Sequence, residues 1–460
     1  MEKKAMESFD IDRQSLSDLD IFSEDPSKAS VFALADTTKT TDGKYRLKSY
    51  FSSPKKRIAD ISAMQQTLKF ILRHFDDFDR CPLSDDLVYG VKDYLRSNII
   101  PVSSLKKRVI LGEIGSYPEI DFAVINKGVH AVRRLLLSVL PLNRVFEADA
   151  TPEHLATFAQ GLTGLLSDGT VKSLLESAGQ KEIDRPDAFF FDKMFREGIK
   201  NKLEAFVEQI SSIDALSSMA GCIKRYGLNF PRFIEDGEVF LSIKGLFHPF
   251  LQNPVRNDVS FSGKTNLLFL TGANMSGKTT YIKACGIAVY LAHIGMGVPA
   301  TEMELTPFDI LFVSINPESD VKQGYSFFYS EVLRVKTIAA KLGKGARALV
   351  IFDEVFRGTN VKDAFDCTLL ITRGFARSKG GIFMLSSHLS ELETEIQSIP
   401  SIVMKCFDAT IENGKPCCSY RLRKGVSHAR HGLFILKNEG IPGLLGCTND
   451  GEDEICREGL

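Results

Sequence analysis

The stretch NLLFLTGANMSGKTT, residues 266–280, turns an apolar run abruptly into glycine, lysine and threonine, and how it is read decides the fold. Within it GANMSGKT, residues 272–279, fits G-x-x-x-x-G-K-[ST], with a strand pattern before it and a helical pattern, YIKACGIAVYLAHIG, after it. That setting is what the motif requires. Gly272 and Gly277 let the backbone turn its N–H groups toward an anion, and the helix that begins here points its positive end at the same place. Lys278 is expected to reach the outer phosphates of a nucleotide, and Thr279 to give its hydroxyl to Mg2+. Asn274 and Ser276 add donors, and Ala273, Met275 and Thr280 complete the phosphate-binding loop. A glycine-rich turn with a chance lysine would share the composition but not the flanking pattern.

About 75 residues on, ALVIFDE (348–354) is a buried-strand pattern ending in two acids. An open parallel sheet gathers such strand ends beside the phosphate loop. Asp353 is then expected to hold the metal, and Glu354 to polarise an attacking water. GIFMLSSH (381–388) brings His388 to a further strand end, where an imidazole reaches the γ-phosphate or the water. Glu354, His388 and Asn274 form the expected catalytic group, with ATP and Mg2+ as the bound species.

The rest of the chain sets the frame. Its 460 residues exceed one ordinary core, and 44% hydrophobic against 25% charged residues predict a folded, soluble protein. The net charge of −1 leaves any anionic partner to local basic patches. The opening MEKKAMESFDIDRQ lacks an apolar signal core, and no run of 18 apolar residues occurs, so no membrane partner is expected. Nine cysteines without a CxxC pair read as reduced, inert thiols of a cytoplasmic protein; the adjacent Cys417 and Cys418 suit neither zinc nor an ordinary disulfide. Residues 8–225 are rich in helix patterns, among them 123–140 and 191–226, the latter long enough to run beyond one globular layer. After Pro231 short apolar runs alternate with helical stretches, the texture of a parallel sheet, so a boundary is placed near 225–240. The end, TNDGEDEICREGL, reads as a loose acidic tail.

Between the phosphate loop and His388 the sequence is more specific still. QGYSFFYSEVLRVKTIA (323–339), DEVFRGTNVKDA (353–364) and the loop segment through Ala300 resemble the ATPase domain of the MutS family of DNA mismatch-repair proteins. Gly324, Ser326, Phe328 and Glu331 match its G-x-S-x-F-x-x-E signature; Asp353, Glu354, Arg357, Gly358 and Thr359 match its D-E-x-x-R-G-T block. Upstream, 242–261 resembles its arginine-His-Pro and Asn-Asp segments, with Phe247 in place of the arginine; downstream, 422–442 resembles its C-terminal helical dimerisation element. Residues 12–71 and 211–233 resemble the entry to and exit from its helical core domain. Ala273, Ser276 and Phe356 depart from the family's proline, glycine and glycine, and Thr279 for serine keeps the hydroxyl.

The resemblance implies an α/β ABC-type P-loop ATPase domain preceded by an all-α core or lever domain. The expected division is 1–225 helical core with a shortened lever and clamp, 226–447 ATPase domain with dimerisation element, and 448–460 acidic tail. It further implies a homodimer through the ATPase domain, in which Ser326 of each protomer completes the other's γ-phosphate site beside Arg357, Thr359 and Asn360. The chain opens at the core, so the family's mismatch-reading and connector domains are expected to be missing, and the Phe-x-Glu triplets at 22, 195, 206 and 233 are assigned no reading role. Double-stranded or branched DNA remains the expected partner, through the basic cluster Lys44, Arg46, Lys48, Lys55, Lys56, Arg57 or the smaller Lys106, Lys107, Arg108, with a repair protein as a further partner. The function so implied is an ATP-switched DNA-binding ATPase of DNA repair or mismatch repair. The alternative is an ATP-driven protein-interaction switch that no longer binds DNA; a transporter ATPase is disfavoured by the missing L-S-G-G-Q.

Overall fold

The structure is a computed structural model in which residues 9–23, 25, 27–97, 119–177, 183–235, 237–316, 327–412, 415–427 and 439–445 are described. The chain forms two compact units: residues 1–28, 231–290 and 298–460 make one, and residues 29–230 with 291–297 make the other. The unit boundary near 231 falls where the texture changes, but residues 1–28 belong with the C-terminal unit and not with the helices that follow them.

Among the described residues the first unit holds ten strands: β1 Arg232–Phe233, β2 Leu241–Leu246, β3 Asn257–Phe261, β4 Leu267–Gly272, β5 Glu302–Leu305, β6 Ile310–Ser314, β7 Ala348–Asp353, β8 Gly381–Ser386, β9 Ile402–Glu412 and β10 Lys415–Lys424. Six form a sheet in the order β10-β9-β4-β8-β7-β6, and four form a second in the order β1-β5-β2-β3. From β9 to β6 all pairings of the large sheet are parallel; β10 closes its far edge antiparallel. Strands β4, β6, β7 and β8 are buried along their whole length, as apolar runs covered on both faces must be. On one face Phe352, Phe375 and Phe383 stack in series at 6.1 and 4.5 Å, with Phe375 supplied by the helix Val361–Ala376.

Helix Lys278–Ile294 follows β4, and Gly286 is where it needs a missing side chain, since a Cβ there would come within 2.6 Å of Leu19 and 3.3 Å of Ile351. Leu19 belongs to the N-terminal segment, which lies along the edge strand β6. Asp10 bridges Ile310 in parallel, Ser15 Oγ accepts from Val313 N at 2.8 Å, and Asp18 accepts from Ile315 N at 2.8 Å. Asp10 and Asp12 also pair with Lys341 and Arg334 of the helix Phe327–Gly343. An open sheet edge is thereby covered.

All described elements of the second unit are helices. The helical pattern over 123–140 is the middle of Glu119–Ala148, and the longer pattern over 191–226 falls on two helices, Arg185–Met194 and Lys200–Tyr226, joined by a π-turn at Phe195–Ile199. Phe70, Phe146, Phe158 and Phe206 run through its core in ring contacts of 5.1 to 6.1 Å. Buried Asp214, on the long helix, accepts from Lys39 N, Thr40 N and Thr40 Oγ1 and so fixes the start of helix Thr41–Phe51. No described helix is long and apolar enough to cross a membrane. No disulfide forms among the described cysteines, and burial pushes Cys222 and Cys285 up to about 12, which removes them as nucleophiles.

Candidate active site

The phosphate loop leaves the end of β4 and opens helix Lys278–Ile294. Two features give it its shape. Gly272 and Gly277 take φ of +148° and +103°, and a Cβ on Gly272 would lie 2.8 Å from Ser276 Oγ and 2.9 Å from the Phe407 carbonyl. Met275 also takes a left-handed φ of 65°, on the exposed tip beside exposed Asn274. Lys278 is buried and donates to the carbonyls of Gly272 and Ala273 at 2.7 and 3.2 Å, so its ammonium lies inside the loop. Burial lowers its pKa, and the carboxylates of Glu354 and Asp353 work against that.

Strand β8 lies between β4 and β7, yet Leu270 and Asp353 both pair with Ser386, so the strand ends are level. Helix Lys278–Ile294 then spans the gap: Thr279 Oγ1 donates to Asp353 Oδ2 at 2.5 Å. The other carboxylate oxygen, Asp353 Oδ1, is buried without a hydrogen-bond partner, as are Ser276 Oγ and Ser386 Oγ. Buried, unsatisfied oxygens of this kind call for a cation or a donor. A hydroxyl and one carboxylate oxygen fit Mg2+, which takes few protein ligands and fills its octahedron with phosphate oxygens and water. Among the described residues no cluster of three or more His, Cys, Asp or Glu would hold a metal alone.

One residue on, Glu354 takes a φ of 50°, its N–H bound to Ser386 O at 2.9 Å, which turns its side chain away from Asp353. Its carboxylate meets His388 Nε2 at 2.6 Å, with Arg357 at 3.7 Å. The hydrogen bond from His388 holds the Glu354 carboxyl below the usual glutamate range, with the charges of His388, Lys278 and Arg357 adding to it. The structure therefore gives His388 a partner that the sequence did not assign to it. Asn360, expected at a protomer interface, caps helix Val361–Ala376 by accepting from Asp363 N at 2.9 Å. Ser326 and Gly324 lie outside the described residues, as do Lys106, Lys107, Arg108, much of the downstream element (428–438) and the tail 448–460.

Above the loop opens a cavity of about 540 Å³, lined by residues 273–281 and Glu354 on one side and by Phe247, His248, Asn257 and Tyr420 among others. Burial, with Lys283 adding, pushes His248 down to about 4, so the cavity wall presents a neutral imidazole. No pattern in the sequence pointed to Tyr420. Its φ of 53° occurs in the register break between Cys418 and Leu422, which the Asn257 amide clips by donating to Tyr420 O at 2.9 Å and accepting from Leu422 N at 2.8 Å. The Tyr420 ring thus stands 3.3 Å from where a Gly277 Cβ would be. Phe247, which replaces the arginine of the resembled pattern, lies under Arg256 at 4.6 Å.

Residues 268–448 match the family described as MutS domain V. The DNA mismatch repair protein MutS of Shouchella clausii is 28% identical over 284 residues, 59% of this chain and 32% of that protein. The protein of the same name from Thermotoga maritima is 30% identical over 271 residues, 58% of this chain and 33% of its own length. That of Geobacillus sp. (strain WCH70) is 29% identical over 283 residues, 60% and 32% respectively. The chain spans about a third of the length of these curated relatives.

Proposed function

The chain belongs to the MutS family through residues 268–448, and from that premise we propose that it is a Mg2+-dependent ATP hydrolase, working as an ATP-switched dimer on duplex or branched DNA in repair. The observation that carries the ATPase reading is the Thr279–Asp353 contact with Asp353 Oδ1 left over beside the phosphate loop. Thr279 and Asp353 would hold Mg2+, which offsets charge on the phosphate oxygens. Lys278 exchanges two loop carbonyls for phosphate oxygens, and the loop's N–H groups cradle the rest. Glu354, an anion tethered by His388, accepts a hydrogen bond from water and aims it; its depressed pKa suits aiming better than taking the proton outright. The base enters the cavity against Tyr420 and Phe247.

Support for DNA is the exposed face of helix Thr41–Phe51, which carries Lys44, Arg46 and Lys48. It is a partial support, because Lys44 pairs with Asp36 at 2.9 Å and Arg57 with Asp60 at 2.6 Å. Two measurements test the proposal. Lys278→Ala is expected to lose ATP binding in a direct titration, with phosphate release falling to background; ATP binding at the wild-type level would end the ATPase reading. Titration against homoduplex, mismatched and branched DNA, with and without ATP, should give an affinity that falls with salt by a slope of about −0.9 for each phosphate contact. If no DNA form binds even at low salt, the protein-interaction switch replaces the DNA reading.

A further inference from the structure

The turn that carries Glu354 is strained. Glu354 and Phe356 both take left-handed φ, 50° and 67°, which a residue with a Cβ keeps only where its surroundings impose it. Glu354 N is tied to Ser386 O at the end of β8. Beyond that tie, the turn is met by helix Phe327–Gly343. The Phe328 ring meets the Phe356 ring at 5.7 Å, and one turn further along the same face Glu331 lies beneath the backbone. Its carboxyl is 3% exposed and faces the backbone N–H groups of Phe356 and Gly358, while Oε2 is buried with no partner. Burying a carboxyl is unfavourable unless it is hydrogen-bonded, and the donors that meet this one are the N–H groups of the turn.

We propose that Glu331 is a positioning residue that, by facing the Phe356 and Gly358 N–H groups, fixes the left-handed turn 354–358 and so aims the Glu354 carboxylate. The inference rests on the reading of Glu354 as the group that orients the attacking water. Glu331 itself reaches neither nucleotide nor water; a displacement of the turn is what its loss introduces.

The test uses the full chain, the single variants Glu331→Ala, Glu331→Gln and Glu354→Gln, and the double variant of Glu331→Ala with Glu354→Gln. Glu331→Ala is expected to lower kcat for ATP by roughly 10- to 100-fold with KM and ADP affinity unchanged, because misplacement affects the reacting geometry and not the phosphate loop. Glu331→Gln keeps an acceptor oxygen and is expected to retain turnover. In a Glu354→Gln background Glu331→Ala should cost nothing further, since its effect passes through Glu354. Independently of turnover, hydrogen exchange should quicken in a peptide covering 354–360 of Glu331→Ala and stay at the wild-type level in Glu331→Gln. Unchanged exchange there, a loss of kcat matched by a loss of ADP affinity, or a Gln variant as poor as the Ala variant would each overturn the proposal. Wild-type turnover by Glu354→Gln would instead remove the reading of Glu354, and the exchange experiment would then decide alone whether Glu331 holds the turn.

Discussion

At the scale of single residues, Glu331 also makes a pH prediction. Burial pushes its carboxyl up from 4.5 to about 7, against the pull of the Phe356 and Gly358 N–H groups and of Arg357. A folded-state pKa above the unfolded value means that the native chain holds the extra proton between those limits, so its stability falls as pH rises from about 4.5 through 7. Glu331→Gln has no such term. Its stability relative to wild type should therefore gain roughly 1–3 kcal/mol between pH 5 and pH 8, read as urea midpoints at the two pH values. Parallel midpoints would mean that the carboxyl is not buried as described. Lys278, Thr279 and Asp353 were legible because a short spacing and a strand end dictate their places. The pairing of Glu354 with His388 was not, since it follows from β7 and β8 being neighbours, and sheet order is not written in any local pattern. Tyr420 was further out of reach, because its position depends on the distant Asn257 amide.

At the scale of elements, apolar runs revealed β4, β7 and β8, but no periodicity says what covers a sheet edge. The cover of β6 is the helix Arg13–Asp18 with its flanks, six residues and too short to register as an amphipathic pattern. The division at 225 therefore left residues 1–28 with the wrong neighbours, while Leu19, fully buried, packs where Gly286 makes room. Leu19→Ala should cost about 2–5 kcal/mol in the unfolding of the C-terminal unit, by lost transfer energy and the cavity left. A denaturant midpoint within error of wild type would show that the segment merely lies on the sheet. The π-turn at Phe195–Ile199 was hidden for a different reason. An extra residue per turn shifts the phase of an apolar stripe without interrupting it; beside the turn Arg196 donates to buried Asp192 at 2.8 Å, which also accepts from Tyr94 OH at 2.7 Å.

At the scale of the whole molecule, the described residues approach the proposed site from one side, and the proposed dimer calls for a further donor on the open side of the γ-phosphate. Lys278, Thr279, Asp353, Glu354 and His388 approach from the sheet, and Arg357, about half exposed, marks the side facing solvent. In the proposed dimer Ser326 of a second copy supplies that donor, and the γ-phosphate becomes the link between protomers. Two consequences follow from mass action and site ownership. Glu354→Ala should bind ATP, fail to split it, and sediment at twice the monomer mass with MgATP but not with ADP, since the link is formed and never cut. Ser326→Ala and Lys278→Ala should each be inactive alone. Mixed, they can pair so that one composite site combines an intact phosphate loop with an intact serine, while the opposite site carries both defects. At equal concentrations random pairing puts about half of the dimers in the mixed form, each with one working site of two, so turnover should return to roughly a quarter of wild type. A mixture as silent as its parts would mean that each protomer completes its own site, and that the link between ATP and assembly has to be sought elsewhere.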